Sequence, residues 1–421
     1  MKRRLLITAA VLLGLALVGF GAASVDRCGA WPKQEPALSF ISRGQGALKA
    51  GAARVDFTLP FPVPAGGYGP FPGSVTSALA PVSARALVLD VGAQRLGLVL
   101  LDVLLVTPQL RDAIGKEQPF PTWVLATHTH SGPGAYAPSA AEEYGALGRY
   151  DQAVEAALVT NAREALSAAS QRLAFARLEV GDTVTEGITV ARSGPEADRR
   201  VLRLRFDGER GPLAQLLVIS AHPTTVGRKP AGLHPDWPGL LAAKFEENGG
   251  PVTLVLQGAA GNASINREAL PTPEAVATKL EALVKMMPTR TQPEVLDAAW
   301  SEVHVSLPRP DARNVVPSLV RPVVENAVCD DAEDLAVLHG LTLGEATLLF
   351  VPVEPSYAAG RVLEQQAHVR RVVSLADGYA GYVETDEAAR AGTGEAKRQL
   401  FPPELLQRLT EGAQLAGVTS R

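Results

Sequence analysis

Aromatic residues are scarce in this sequence, and neither sign of charge predominates. Phenylalanine, tryptophan and tyrosine together make up 5% of the 421 residues, and charged residues make up 20%. The formal net charge is -4, and no long basic run follows the first few residues. Proteins that bind nucleic acids use cationic surfaces and aromatic side chains on which bases stack. We therefore expect no nucleic-acid partner.

Cysteine is nearly absent as well. Only Cys28 and Cys329 occur, which excludes a disulfide-rich scaffold and a zinc site built from several thiolates. The two residues could form one disulfide in an oxidising compartment. Because Cys28 lies in a segment that has the pattern of a loose tail, we favour two unpaired thiols.

Long apolar runs are missing except at the N-terminus. Lys2, Arg3 and Arg4 precede an apolar stretch over residues 5–24 that ends in small residues. This arrangement is typical of an export signal, and the run is also long enough for an uncleaved membrane anchor. We predict that residues 1–24 are a signal peptide or an N-terminal membrane anchor, and that the rest of the chain is periplasmic or extracellular.

Apolar residues nevertheless make up 46% of the chain, which is enough for a large core. Strand-like and helix-like apolar patterns alternate along the sequence. We therefore predict an α/β (α+β) fold, with a mixed β-sheet core and flanking helices in a single domain over residues 51–421, after an irregular lead-in over residues 25–50. The strands are expected at residues 84–106 (two strands joined at Gly92), 122–130, 201–206, 213–220, 252–257 and 346–354, and the helices at 149–169 and 271–287.

Polar side chains come directly after several of these strands. The stretch ATHTHSGPGAY, residues 126–136, places His128 and His130 at the end of a predicted strand. Residues two apart on a strand point to the same face, so both rings could address one pocket, although such a pair also occurs by chance as a polar strand end. His222 follows another apolar strand, and Glu354 closes a third. A buried carboxylate needs a cation or several hydrogen bonds, so Glu354 predicts a metal ligand or a salt bridge.

A polar, glycine-rich loop follows the strand predicted at residues 252–257. It reads QGAAGNASINRE and contains Ser264. Its free backbone N–H groups could hold an oxyanion, or the segment could be an ordinary turn. The loop lacks the G-x-S-x-G pattern, so a serine triad is not implied. Further along the chain, Tyr382 in GYAGYVET is either a site residue or a residue of the core.

Taken in order, these segments resemble the catalytic domain of the neutral, non-lysosomal ceramidase family. THTHSGPG is similar to the most specific motif of that family. The segments ARSGPEA, SAHPTT, HPDWPG, QGAAGNASIN, FVPVEPS and DGYAGYVET then follow in the family's order. The resemblance runs from about residue 52 to about residue 390.

The resemblance implies a single Zn²⁺ ion and amide hydrolysis by metal-activated water. Imidazole and carboxylate are common zinc ligands, whereas tyrosine is unusual, and Tyr379 competes with Tyr382 for that place. The implied ligands are His128, His222, Glu354 and Tyr382.

The resemblance also implies roles for three neighbouring residues. His130 would polarise the amide carbonyl or stabilise the oxyanion, Arg192 of ARSGPEA would share that role or orient the substrate, and Ser264 would support them. The expected protein is an exported, ceramidase-like hydrolase of linear amides. Its expected substrate is ceramide or a related lipid amide at a membrane surface, in sphingolipid metabolism.

The sequence departs from the family at several places. The family usually has a tyrosine about a dozen residues after its ligand tyrosine, whereas residues 387–401 contain none. Asn262 stands where the family often has aspartate, and Ile265 stands where it has proline. We expect no C-terminal β-sandwich domain, which bears on whether ceramide is the substrate. Two other functions stay open: a zinc hydrolase of another amide or ester, and a non-catalytic envelope binding protein on the same scaffold.

Overall fold

The computed structural model describes residues 21, 24–29, 34–70, 72–331 and 335–417. The predicted leader, residues 1–24, therefore lies almost entirely outside the described residues. No helix within the described ranges is long and apolar enough to cross a membrane.

Strands and helices alternate along the described chain. The strands are β1 (Ala37–Asp56), β2 (Val63–Gly66), β3 (Ser74–Val75), β4 (Ser83–Val91), β5 (Gln94–Leu101), β6 (Thr122–Ala126), β7 (Gly132–Pro133), β8 (Ala174–Val184), β9 (Thr189–Ala191), β10 (Arg200–Gly208), β11 (Gly211–Ile219), β12 (Val252–Gln257), β13 (Ala263–Ile265), β14 (Thr289–Thr291), β15 (Val295–Ser306), β16 (Leu335–Leu343), β17 (Ala346–Phe350), β18 (Glu354–Pro355), β19 (Arg371–Val373) and β20 (Tyr382–Val383). The α-helices are α1 (Pro108–Gly115), α2 (Ala140–Glu142), α3 (Gln152–Gln171), α4 (Asp236–Glu246), α5 (Pro273–Lys285), α6 (Arg321–Asp331), α7 (Tyr357–Ala367), α8 (Asp386–Ala391) and α9 (Glu404–Ala416). Single helical turns lie at Glu143–Leu147, Glu247–Gly249 and Gly394–Arg398.

The 20-residue strand β1 organises the sheet. Its first half pairs antiparallel with β15, and its second half pairs antiparallel with β4. The expectation of an irregular lead-in over residues 25–50 is therefore wrong from Ala37 onward. The apolar pattern did not reveal this strand because its first residues are solvent-exposed and glycines interrupt it. One of them, Gly51, has a physical reason: a β-carbon there would lie 2.2 Å from the Ala169 carbonyl oxygen of α3.

Within the described residues, 13 strands form one mixed sheet that wraps around an apolar core. The order is β12-β11-β10-β8-β1-β15-β16-β17-β19, with β4, β5 and β6 continuing from the second half of β1 and β14 pairing with β8. One face buries side chains from distant parts of the sheet together, among them Leu98, Leu216 and Trp300. Burial of apolar surface on this scale is the main stabilising contribution to the fold.

Helices cover the outer face of the sheet. Helix α3 packs on β1 and β4, α4 and α5 cover the β11–β12 region, and α7 and α9 cover the β15–β17 region. Helix α3 begins at a side-chain cap, because the Asp151 carboxylate accepts a hydrogen bond from the Ala153 N–H. The predicted class, a mixed sheet with flanking helices in one domain, is confirmed.

A disulfide joins Cys28 to Cys329, whose Cα atoms are 5.3 Å apart. The favoured expectation of two unpaired thiols is therefore wrong. The 24–29 segment also bonds directly to α6: the Arg27 N–H donates to Asn326 Oδ1 at 2.9 Å, and Asn326 Nδ2 donates to the Val25 carbonyl at 2.7 Å. Sequence alone could not place Cys28 beside a helix 301 residues away.

We expect the purified protein to contain no reactive thiol. Alkylation after unfolding without reductant should leave both cysteines unmodified, because each sulfur is bonded to the other. Reduction before alkylation should expose two thiols, and peptide mapping should locate them at Cys28 and Cys329. Two alkylated cysteines in the unreduced sample would contradict the disulfide.

Candidate metal centre

The predicted site residues meet where several strands end. Strands β5 and β6 run parallel, as do β11 and β12, and β17 and β19. Two bonds hold the ends of these pairs together: Gln257 Nε2 donates to the Thr127 carbonyl at 3.2 Å, and the Ala126 N–H donates to the Leu375 carbonyl at 3.2 Å. Ligand sites in sheets with parallel strands commonly form at such carboxyl ends.

His128 and His130 share one pocket, but not because they lie on a strand. Strand β6 ends at Ala126, and His128 has a left-handed backbone with φ of +66°. A non-glycine residue rarely adopts this conformation without support from its surroundings. Here the bend turns the chain so that the ring centres of His128 and His130 lie 4.8 Å apart, and His222 lies 4.9 Å from His128.

Backbone carbonyls fix the orientation of all three rings. His128 Nδ1 donates to the Leu104 carbonyl at 2.7 Å, His130 Nδ1 to the Gly67 carbonyl at 2.7 Å, and His222 Nδ1 to the Ala260 carbonyl at 2.9 Å. A carbonyl oxygen only accepts, so each Nδ1 must carry the proton, and each Nε2 presents a lone pair. One ring nitrogen from each histidine lies within 4.8 Å of the others, so the cluster could hold a metal ion.

Gly67 is required for one of these contacts. Its φ is +135°, and a β-carbon there would lie 2.4 Å from the His130 Cα. Only glycine lets the loop backbone come this close to the histidine. The turn after β2, which contains Gly67, thus orients a ring of the cluster.

Glu354 supplies a carboxylate to the same point. Its Oε2 lies 3.2 Å from His128 Nε2 and 3.0 Å from His222 Nε2, and its side chain is 1% exposed. A carboxylate facing two nitrogen lone pairs is repelled unless a positive charge lies between them. In the part of the chain that the structure describes, His128 Nε2, His130 Nε2 and Glu354 Oε2 are buried without a hydrogen-bond partner. These atoms fit the imidazole and carboxylate donor set of a zinc site.

Burial also sets the protonation of these groups. Burial, reinforced by the neighbouring His128 and His222, holds the pKa of His130 well below its ordinary value, and burial also lowers the pKa of His222. Burial alone would raise the pKa of Glu354, but His128 and His222, which attract and hydrogen-bond the carboxylate when their rings are protonated, outweigh it and hold that pKa well below its usual range. Neutral rings around an ionised carboxylate are the protonation states that bind a cation.

Both candidate tyrosines reach the cluster, at different atoms. Strand β18 places Glu354 opposite Tyr382 of β20. The Tyr382 hydroxyl lies 3.0 Å from His222 Nε2, whereas the Tyr379 hydroxyl donates to Glu354 Oε1 at 2.6 Å. Burial and the Glu354 charge raise the pKa of both phenols, so both stay protonated near neutral pH.

Arg192 and Ser264 flank the cluster. Arg192 donates to the Gly261 carbonyl at 2.7 Å and pairs with Glu395 at 3.0 Å, and its guanidinium carbon lies 5.4 Å from the centre of the Tyr382 ring. Ser264 bridges to His222 through the backbone, but no hydrogen bond joins its hydroxyl to the clustered side chains among the described residues.

Sequence reasoning missed the groups that hold the site residues in place. Leu104 acts through its carbonyl, which carries no sequence signal. Glu395 lies in the 387–401 segment, where the sequence shows that no tyrosine is present but gives no sign that a carboxylate is buried. The only available signal was an acidic residue between a glycine and an alanine, which is weak.

We expect the protein to bind one divalent ion per chain. Titration of metal-depleted protein with Zn²⁺ should give one equivalent, and His222→Ala or Glu354→Gln should weaken binding by at least about tenfold, since even outer-shell groups of metal sites contribute that much. His304→Ala is the matched control, because His304 lies away from the cluster and pairs with Glu302. Unchanged zinc affinity in His222→Ala would show that the metal binds elsewhere.

No protein-family model matches the sequence, and no curated protein matches it significantly. Solved structures do match. Neutral ceramidase from Pseudomonas aeruginosa superposes with a TM-score of 0.75 at 18% identity, over 89% of this chain and 75% of that one. A ceramidase complexed with C2 superposes with a TM-score of 0.74 at 19% identity, with the same coverage. The resemblance seen in the motifs is thus confirmed at the level of structure: this chain has the fold of neutral ceramidase.

Proposed function

We propose that the protein is an exported, zinc-dependent amidohydrolase that cleaves the N-acyl amide bond of ceramide or a related lipid amide. The observation that carries this proposal is a cluster of three carbonyl-anchored histidines, two of which face the buried, unpartnered Glu354 oxygen. The fold, shared with a neutral ceramidase, supports it. The disulfide supports export, because such bonds persist mainly outside the cytoplasm.

We assign the metal ligands to His128, His222, Glu354 and Tyr382. Glu354 Oε2 contacts the inner nitrogens of both histidines, and the Tyr382 hydroxyl contacts His222 Nε2. Tyr379 instead donates to Glu354 Oε1, so we assign it to orienting the carboxylate. Bound zinc would lower the pKa of a water molecule and polarise the amide carbonyl.

His130 has the protonation of a base. Its Nδ1–H is engaged by Gly67, so its Nε2 can accept a proton but cannot donate one while the ring is neutral. We therefore assign His130 to taking a proton from the attacking water and passing it to the departing amine nitrogen. This role differs from the one that the resemblance implies, which is to polarise the carbonyl or stabilise the oxyanion.

Arg192 is suited to orienting the substrate. Its pairing with the buried Glu395 and the Gly261 carbonyl fixes the guanidinium beside the Tyr382 ring. Arg398 also pairs with Glu395, so two cations share one carboxylate. The surplus positive charge favours a substrate oxygen that becomes negative in the transition state.

Hydrolysis of a short-chain fluorescent ceramide, measured with the zinc content, tests the function. We expect about one zinc per chain, and both zinc and activity should be lost in His128→Ala and Glu354→Ala, because each change removes a ligand. His304→Ala should keep both. If the protein binds zinc but does not hydrolyse ceramide, the substrate is another amide or ester. A folded protein that never binds zinc would overturn the proposed function.

The role of His130 has a separate test. His130→Ala should keep about one zinc but lose about 10²–10⁴-fold in kcat, because a proton-transfer group is lost without a ligand. The pH dependence of the residual activity should lose its acidic limb. Loss of zinc in this variant would make His130 a ligand instead, and full activity would exclude both roles.

A further inference from the structure

The metal centre reaches solvent through two of its side chains. Of the four assigned ligands and the proposed base, three are buried, namely His128, His222 and Glu354. His130 and Tyr382 are partly exposed. A substrate must therefore reach the centre past the exposed parts of these two side chains, and the groups packed against them line its approach.

Two arginines flank Tyr382. The guanidinium carbons of Arg192 and Arg398 lie 5.4 and 6.0 Å from the centre of its ring. Glu395, the carboxylate that both arginines share, is fully buried, whereas the Arg398 side chain is 53% exposed. Glu384 is also buried and accepts a hydrogen bond from the Glu395 N–H at 2.9 Å. On this side, the carboxylates therefore lie in the interior and the Arg398 guanidinium lies at the surface.

A third arginine lies on the side of His130. The Tyr68 ring packs on the His130 ring with 4.9 Å between the ring centres, and the guanidinium carbon of Arg228 lies 5.0 Å from the centre of the Tyr68 ring. Arg228 is exposed, and no carboxylate pairs with it among the residues that the structure describes. Asp236, whose charge acts on Tyr68, is buried and accepts hydrogen bonds from the Thr225 hydroxyl and from backbone N–H groups.

Exposed guanidinium groups beside a reactive centre favour an anionic substrate. The chain as a whole has a net charge of -4, so a cationic approach is not an average property of its surface. Aromatic rings hold Arg228 and Arg398 in place by cation–π contacts. A guanidinium binds a carboxylate or a phosphate through paired N–H···O bonds. Because Arg228 has no acidic partner within the described ranges, it can bind such a group without breaking an ion pair.

We propose that the preferred substrate is an anionic lipid amide, which carries a carboxylate or a phosphate on its amine side. The inference rests on the proposed amidase function. The acyl side of a lipid amide is hydrocarbon, so the charged group belongs to the amine. It lies within a few bonds of the amide nitrogen, because the Arg398 guanidinium is 6.0 Å from the ring whose hydroxyl contacts His222 Nε2. We name Arg228 and Arg398, which bind this group, the rim arginines.

Three substrates with the same acyl chain measure the preference. N-dodecanoylglycine carries a carboxylate, N-dodecanoyl-O-phosphoethanolamine carries a phosphate, and N-dodecanoylethanolamine is neutral. At low ionic strength, kcat/KM for at least one anionic substrate should exceed that for the neutral one by about tenfold or more, and the better of the two identifies the group. Salt should reduce the preference, because it screens exposed charges. Equal kcat/KM for all three, or faster hydrolysis of the neutral amide, would overturn the inference and leave the amidase function standing.

Substitution of the rim arginines locates the effect. Arg228→Gln and Arg398→Gln should each reduce the preference for the anionic substrate by about threefold, and the double variant should abolish it, because each exposed guanidinium contributes one charge. Arg290→Gln is the charge-matched control, since Arg290 lies on β14 and pairs with Glu345. It should keep the preference of the unmodified protein. The same preference in the double variant and in the control would overturn the assignment of the rim arginines.

A binding measurement separates this inference from the amidase function. In 4-oxopentadecanoic acid, 1-hydroxypentadecan-4-one and the phosphate ester of that alcohol, a methylene replaces the amide N–H, so none of the three can be hydrolysed as an amide. In calorimetric titrations, the acid or the phosphate ester should bind about tenfold more tightly than the alcohol, and the double variant should lose the difference. If this pattern appears but no amide is hydrolysed, the function fails and the recognition of an anion holds. Equal affinity for all three ketones overturns the inference, whatever the protein hydrolyses.

Discussion

The site depends on one buried contact, in which the Glu354 carboxylate faces the inner nitrogens of His128 and His222. Three carbonyl hydrogen bonds hold the histidine protons on the far side of the rings, so lone pairs and a negative charge point at one another. This arrangement is costly in a low-dielectric interior unless a cation occupies the centre. This electrostatic arrangement therefore stabilises the protein with a bound cation and destabilises the protein without one.

The sheet explains how such distant residues meet. Strand β1 pairs with β15 through its first half and with β4 through its second, so the sheet wraps around the core. The ends of β6, β11 and β17 then lie at one edge, and bonds such as that from Gln257 to the Thr127 carbonyl lock them together. Close packing in the large core keeps these ends rigid, which the geometry of a metal site requires.

Tyr379 connects the polar and apolar parts of this region. Its hydroxyl orients the Glu354 carboxylate, and its ring lines an apolar cavity. A polar centre beside an apolar space is the arrangement that an amide with a hydrocarbon chain would need.

The sequence by itself determined the fold class, seven of the strands, two of the helices, and the residues that assemble at the site. Apolar periodicity and the ordered motifs sufficed, because they reflect local burial and the chemistry of single side chains. The sequence did not predict strand β1, because its first half is exposed and glycines interrupt its apolar pattern. It also did not predict the disulfide between Cys28 and Cys329. Tertiary structure alone decided which nitrogen of His130 is free, which tyrosine faces His222, and that Glu395 holds Arg192. Each of these depends on a carbonyl, ring or carboxylate brought from another part of the chain, and such through-space contacts leave no pattern in the local sequence.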